Sequence, residues 1–288
     1  MSSNLDEKAP AVPAKPSEVV RFEKVTKKFS DGKVAFQDVS FVIHDVPDAG
    51  ELIAIVGPSG CGKSTLLRII AGLQPHFPAT TGETLVLGKP IEKAGADRGM
   101  VDQKYSLMPH LTVAENIAFG LQLRGVGRSE RRDRAREWVQ KVELEGSEDK
   151  YPLELSGGMQ QRVSIAATLV LQPRILLMDE PFGALDPKIR MQMQELLVKL
   201  WNEQQSTVFI VTHSMEEAVY LGDRVMRMAA KPGRLVEEVQ VPRPDEPPEV
   251  MRQRPWFNEL TQDLLRRLET DAPPGGELAG LEKWKRRA

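Results

Sequence analysis

With 288 residues, 41% of them hydrophobic and 28% charged, the chain is long enough for one large domain or two small ones, and its composition is that of a globular protein rather than a disordered or fibrous one. A formal net charge of −2 gives no general attraction to nucleic acid or an anionic membrane, and a single cysteine excludes an internal disulfide framework and suits a reducing compartment. No stretch approaches the roughly 20 apolar residues of a membrane-spanning helix, and the first residues lack the apolar segment of a secretory signal.

Residues 1–18, rich in Pro, Ala and charge, read as a disordered leader. Residues 19–29 and 33–43 alternate apolar and polar side chains around Asp31-Gly32, the pattern of two strands joined by a turn. Glu51–Gly57 is a short apolar run expected to be a buried strand, followed by a helix from Lys63. Residues 80–101 are again β- and turn-rich. From about Thr112 to Glu154 apolar residues recur at helical spacing, so a helical subdomain interrupts the β pattern. Then come a helix over 157–171, a strand over 174–180, a helix over 187–203, a strand over 207–213 and a helix from Met215. This alternation argues for a parallel sheet wrapped by helices. Beyond Arg243 the chain is Pro-rich, then presents an amphipathic helix over 256–269, a Gly/Pro linker and a basic end at 282–288.

Gly57-Pro58-Ser59-Gly60-Cys61-Gly62-Lys63-Ser64-Thr65 fits G-x-x-x-x-G-K-[ST] and falls between an expected strand and an expected helix. Glycines let the backbone wrap closely around phosphate oxygens, and N–H groups at the helix start point at the anion. Lys63 is expected to reach the β- and γ-phosphates and the Ser64 hydroxyl to ligate Mg2+. Cys61 reads as a small filler of the loop rather than a nucleophile. Ile175–Glu180 is an apolar run ending in two carboxylates, which alone is as consistent with an exposed loop as with a site. With the phosphate loop upstream, Asp179 is the expected holder of Mg2+, directly or through water, and Glu180 the expected general base.

Leu155-Ser156-Gly157-Gly158-Met159-Gln160-Gln161-Arg162 is the most specific segment. Ser156 suits a helix N-cap, and the glycines leave backbone N–H groups open to an anion. Here the chain resembles the ABC ATPase family, whose signature is LSGGQ or a close variant. The resemblance spans roughly residues 20–240. It implies an α/β fold: a P-loop NTPase core of the RecA-like kind, an antiparallel β subdomain and an inserted α-helical subdomain at about 104–170. The ATPase domain would occupy 19–242, with 243–288 as a C-terminal helical extension and basic tail.

The same resemblance implies ATP and Mg2+ as ligands. Ser156, Gly157, Gly158 and Gln160 would contact the γ-phosphate bound by the other subunit of a head-to-tail dimer, a homodimer or a pseudo-dimer with a related ATPase. Gln103 would be the glutamine that senses Mg2+ and the attacking water and abuts a membrane partner. Ala184-Leu185-Asp186 would cross the dimer interface, His213 would contact the γ-phosphate, and Phe29 would stack on adenine. The chain departs from the family pattern at Asp102, where a Phe is usual, and at Ser164-Ile165-Ala166-Ala167-Thr168, where an Ala-Arg-Ala pattern is usual.

Pro181-Phe182-Gly183, Leu200-Trp201, Met215-Glu216-Glu217-Ala218, Lys231-Pro232-Gly233-Arg234 and the Pro255–Leu260 stretch resemble one importer subgroup, that for nitrate, sulfonates, taurine and related small solutes. That implies two transmembrane permease subunits, an extracytoplasmic solute-binding protein and a peripheral place on the cytoplasmic face of the inner membrane. The rival readings are a non-transport ABC ATPase and the ATPase of an exporter. The interval between Gln103 and Leu155 is short for the coiled-coil insertion of repair members, and there is one motif set where translation members carry two. The Arg-rich block from Arg124 to Arg136 interleaves with Glu130 and Asp133 and reads as a solvated helix face rather than a nucleic-acid surface.

Overall fold

The computed structural model describes residues 18–46, 49–104, 106–242 and 248–270. The expected leader (all but Glu18), the first Pro-rich residues after Pro242 and the basic end therefore lie outside the described residues.

In chain order the elements are β1 (Glu18–Lys28), β2 (Val34–His44), β3 (Leu52–Val56), α1 (Lys63–Ala71), β4 (Thr81–Val86), β5 (Lys89–Pro90), β6 (Arg98–Val101), α2 (Val113–Leu123), α3 (Arg128–Lys141), a 3-10 turn (Pro152–Glu154), α4 (Gly157–Leu169), β7 (Ile175–Asp179), α5 (Pro187–Gln204), β8 (Thr207–Val211), α6 (Met215–Leu221), β9 (Arg224–Ala229), β10 (Arg234–Gln240), α7 (Pro248–Gln253) and α8 (Pro255–Thr270). β1 pairs antiparallel with β2 and β4, giving a four-stranded sheet in the order β2-β1-β4-β5. The second sheet runs β10-β9-β3-β8-β7-β6. It is parallel from β9 to β6, and β10 closes it antiparallel.

β3, β7 and β8 are buried along their whole length, as unbroken apolar runs in a parallel sheet must be. Their side chains alternate between two cores. Leu52, Ala54 and Val56 of β3, with Leu176, Met178, Val208 and Ile210, face the core built with α2 to α8. Ile53, Ile55, Leu177, Phe209 and Val211 face the core built with α1 and the antiparallel sheet. The helical segment packs through α4, which lies on α2 and β6. Thr112 starts α2 with a reciprocal capping box: Glu115 N–H donates to its hydroxyl at 3.3 Å, and its own N–H donates to the Glu115 carboxylate at 2.9 Å. The expected solvated face on α3 carries exposed pairs such as Arg134 with Glu130 at 2.6 Å.

Three elements go beyond the sequence pattern: β9, β10 and α7. Arg227 interrupts β9 with a charge that periodicity assigns to solvent, yet it is 1% exposed. Glu237 of β10 satisfies it at 2.9 Å and also takes Arg267 of α8, which in turn meets Asp263. The Arg227 guanidinium also donates to the Arg267 carbonyl at 3.2 Å. This buried network fastens the expected C-terminal helix to the edge of the parallel sheet. Removing the shared acceptor by Glu237→Ala should cost about 3–5 kcal/mol, because two buried guanidinium groups lose their common carboxylate. Urea unfolding measures this; a loss below about 1 kcal/mol would show that α8 is held by apolar contact alone.

Candidate active site

The phosphate loop leaves β3 at Gly57 and enters α1 at Lys63. Gly62 adopts φ 98°, and a Cβ there would come within 2.9 Å of the Ala35 carbonyl and the Phe36 ring, so only glycine suits the position. Pro58, Ser59 and Gly60 form the exposed rim, while Cys61 and Thr65 are buried beneath it. The Lys63 ammonium turns back across the loop, donating to the Gly57 carbonyl at 2.8 Å and the Pro58 carbonyl at 3.2 Å. The back of the loop is braced by the β9–β10 connection. A Cβ on Gly233 would lie 2.0 Å from the Cys61 carbonyl, and Gln37 N–H donates to the Gly233 carbonyl at 2.7 Å. Burial pushes the Cys61 thiol up, so it is a packed, protonated filler.

The Ser64 hydroxyl donates to Asp179 Oδ1 at 2.7 Å, joining the start of α1 to the end of β7. Burial pushes the Asp179 carboxyl up, while the bond from Ser64 and the nearby Arg68 pull it down. Glu180 follows with φ 50°, a left-handed backbone that costs a non-glycine residue about 1–2 kcal/mol. That turn aims its carboxylate between two partners. The Gln103 side-chain amide donates to Glu180 Oε2 at 3.2 Å, and His213 Nε2 lies 2.7 Å from Oε1. Gln103, Glu180 and His213 thus form one cluster beside the Ser64–Asp179 pair.

Hydroxyl, carboxylate and carboxamide oxygens are the hard donors Mg2+ prefers. Ser64 and Asp179 already point at each other, and Gln103 stands next to them through Glu180. Among the described residues no three His, Cys, Asp or Glu side chains gather into a metal cage. A cation here is one that completes its shell with ligand and water oxygens, as Mg2+ does on phosphates.

The remaining expected residues lie at other points. Phe29 sits just past β1 in the turn to β2 rather than in a strand, partly buried, with the His76 ring edge-on at 5.5 Å. Asp186 caps α5, accepting from the N–H groups of Lys188 and Ile189 at 3.1 Å each. Ser156 caps α4 by accepting from Met159 N–H at 3.4 Å. Gln160 braces the turn before it, donating to the carbonyls of Pro152 at 2.9 Å and Leu155 at 3.2 Å. Gly158 fits against Ile189 of α5, where a Cβ would meet the Ile side chain at 2.7 Å. Among the described residues the hydrogen bonds of the Ser156 and Gln160 side chains are local, and none joins the segment to the Glu180 cluster.

Arg68 was not singled out in the sequence. It bridges Asp179 at 3.1 Å and Asp102 at 3.2 Å, tying the end of β6 to the end of β7. A signal for it existed: Arg68 lies four residues after Ser64 and so shares its helix face. Asp102, which stands where the family has Phe, becomes intelligible as the partner of that arginine.

The ABC transporter family profile matches residues 36–183. An uncharacterised ABC transporter ATP-binding protein of Methanocaldococcus jannaschii is 48% identical over 77% of this chain and 82% of its own length. The taurine import ATP-binding protein TauB of Escherichia coli is 45% identical over 72% of this chain and 79% of its own, and that of Rhizobium johnstonii 50% identical over 70% and 74%. Among solved structures, cbiO1 of Clostridium perfringens, part of the ABC transporter complex cbiONQ, superposes with a TM-score of 0.69 at 27% identity over 88% of this chain and 99% of its own. A dimeric ATP-binding cassette in a post-hydrolysis state with ADP and Pi bound superposes at 0.67 with 35% identity over 77% of this chain and 98% of its own.

Because Cys61 is fully buried in the loop, a thiol reagent should react with the folded chain only as the loop opens. Modification should abolish ATPase activity, and MgATP should slow it further. Labelling at the rate of a free thiol, or labelling with full activity retained, would contradict this placement.

Proposed function

The chain belongs to the ABC transporter family of ATP-binding subunits and hydrolyses ATP, and from that premise we propose that it is the motor subunit of a small-solute importer. The solute class we infer is nitrate-, sulfonate- or taurine-like. Support comes from the 45–50% identity with taurine import ATP-binding proteins. In this reading two copies work as a homodimer, on two transmembrane permease subunits served by an extracytoplasmic solute-binding protein. Among the described residues no helix is long and apolar enough to cross a membrane, so attachment to the cytoplasmic face would run through the permeases.

The single observation that carries the hydrolytic reading is the Glu180 carboxylate, held between Gln103 and His213 beside Ser64 and Asp179. The loop from Gly57 to Thr65 wraps the phosphates with backbone N–H groups, and Lys63, now spanning two loop carbonyls, is the cation released to them. Glu180 accepts a proton from the attacking water, and Gln103 orients that water. His213 donates to the γ-phosphate. Ser64 and Asp179, with Gln103 nearby, are the residues that would hold Mg2+, which when bound neutralises charge on the phosphate oxygens. Ser156, Gly157 and Gly158, open at the start of α4, face the nucleotide of the second copy; Gln160 shapes their turn and Asp186 lies at the junction. Phe29 covers adenine.

Glu180→Gln should leave nucleotide affinity nearly unchanged, lower turnover by roughly 10²–10⁴-fold, and trap a dimer with ATP on size exclusion. Turnover within tenfold of the parent chain would take the general-base role away from Glu180.

A further inference from the structure

The hydrolytic cluster is connected to the C-terminal extension by a line of buried side chains. Thr212 and Ser214 flank His213. The Thr212 hydroxyl accepts from Ser214 N–H at 3.0 Å, and the Ser214 hydroxyl accepts from Glu217 N–H at 3.2 Å. Glu217 is thereby tied through its own N–H to Ser214, the residue next to His213, and through Ser214 to Thr212 on the other side. The residue between them, His213, therefore has its backbone set from both sides. Glu217 in turn accepts from the Gln194 amide of α5 at 3.1 Å, and the Gln194 carbonyl oxygen accepts from Arg252 of α7 at 2.6 Å. Arg252 also lies 4.2 Å over the Tyr220 ring and 3.6 Å from the Glu216 carboxylate, so α7 grips the helix that follows His213.

We propose that Arg252 is a positioning residue for ATP hydrolysis, acting on His213 through Gln194, Glu217 and Ser214. The proposal rests on the reading of His213 as the γ-phosphate contact.

Three features make this a relay rather than a set of isolated bonds. Thr212, Gln194 and Glu217 are 4%, 3% and 5% exposed, so water cannot replace a lost partner. Gln194 is oriented by chemistry at both ends: it must donate to a carboxylate and accept from a guanidinium, and loss of Arg252 frees its amide to rotate. Glu217 itself sits in a contested field. Burial pushes it up to about 6, against the bond from Gln194 and the nearby Thr212 hydroxyl and Arg190 that favour its charge, and Glu180 opposes that charge. A carboxylate so placed keeps its geometry only while Gln194 is held. The extension thus has two separate functions: α8 is fastened through Glu237, and α7 reaches the hydrolytic cluster through Arg252.

The test is a kinetic cycle in the full chain. Arg252→Met should lower kcat about tenfold with KM for ATP within about twofold, and Arg252→Lys, which keeps a donor, should restore at least half of the rate. In single-turnover assays on a His213→Ala background, Arg252→Met should have no further effect, because the residue it positions is gone. Unchanged kcat in Arg252→Met, failure of Lys to restore it, or an equal loss in both backgrounds would overturn the proposal. Wild-type turnover in His213→Ala would remove His213 from the site and the proposal with it. If Arg252→Met does not accumulate in folded form, Arg252→Gln takes its place under the same limits.

Discussion

Parallel pairing at the centre of the six-stranded sheet is the constraint on which the site depends. Val211 lies opposite Ile55 on one side and Asp179 on the other, and Val101 lies opposite Met178. Four strands therefore end level with one another. Within two residues of that common edge the chain delivers Gly57, Asp102 and Gln103, Glu180, and Thr212 and His213. No local preference brings these residues together, since they are scattered from position 57 to position 213. The apolar runs do it by fixing register: a slip of one residue would exchange the two cores that β3, β7 and β8 serve and turn Asp179 away from Ser64. Ligands collect at the carboxyl edge of such sheets for the same reason.

Once the register is set, the polar groups at the edge lock one another. Asp179 is buried, and burial raises its resistance to ionisation by more than Ser64 and Arg68 lower it. Glu180 takes a left-handed backbone that a carboxylate side chain gains nothing from locally, and its peptide N–H is held by the Val211 carbonyl at 3.0 Å. Strain and buried charge are concentrated at one point and offset by the surrounding sheet. The bracing of the phosphate loop by Gly233 has the same logic, because the β9–β10 connection can come this close to the Cys61 carbonyl only at a residue without a side chain.

Much of this was legible in the residues. The phosphate loop, the apolar run into Asp179 and Glu180, and the strand before His213 are local patterns with one good structural solution each, and β3, β7, β8, α1 and α4 lie where the pattern places them. What escaped is what depends on partners distant in sequence. β9 looks like a poor strand until Glu237 supplies the counter-charge for Arg227 and the Arg267 carbonyl a further acceptor. α7 hides among prolines, and Arg252 acquires meaning only when α5 brings Gln194 to it. Phe29 read as a strand residue because alternation continues one position past the last paired residue of β1. Arg68 was in reach, since its spacing from Ser64 is helical, but the identity of its second partner, Asp102, was not.

The central claim is that hydrolysis needs the Glu180 cluster of one copy together with the start of α4 from another. Mixing two inactive chains tests this directly. Lys63→Ala removes the phosphate-loop cation, and Ser156→Arg blocks the helix start. Each alone should be without ATPase activity, and a mixed dimer holds one intact composite site, so mixing should restore turnover. Continued inactivity of the mixture of folded chains, or near-normal turnover of Ser156→Arg alone, would contradict a site shared between two copies.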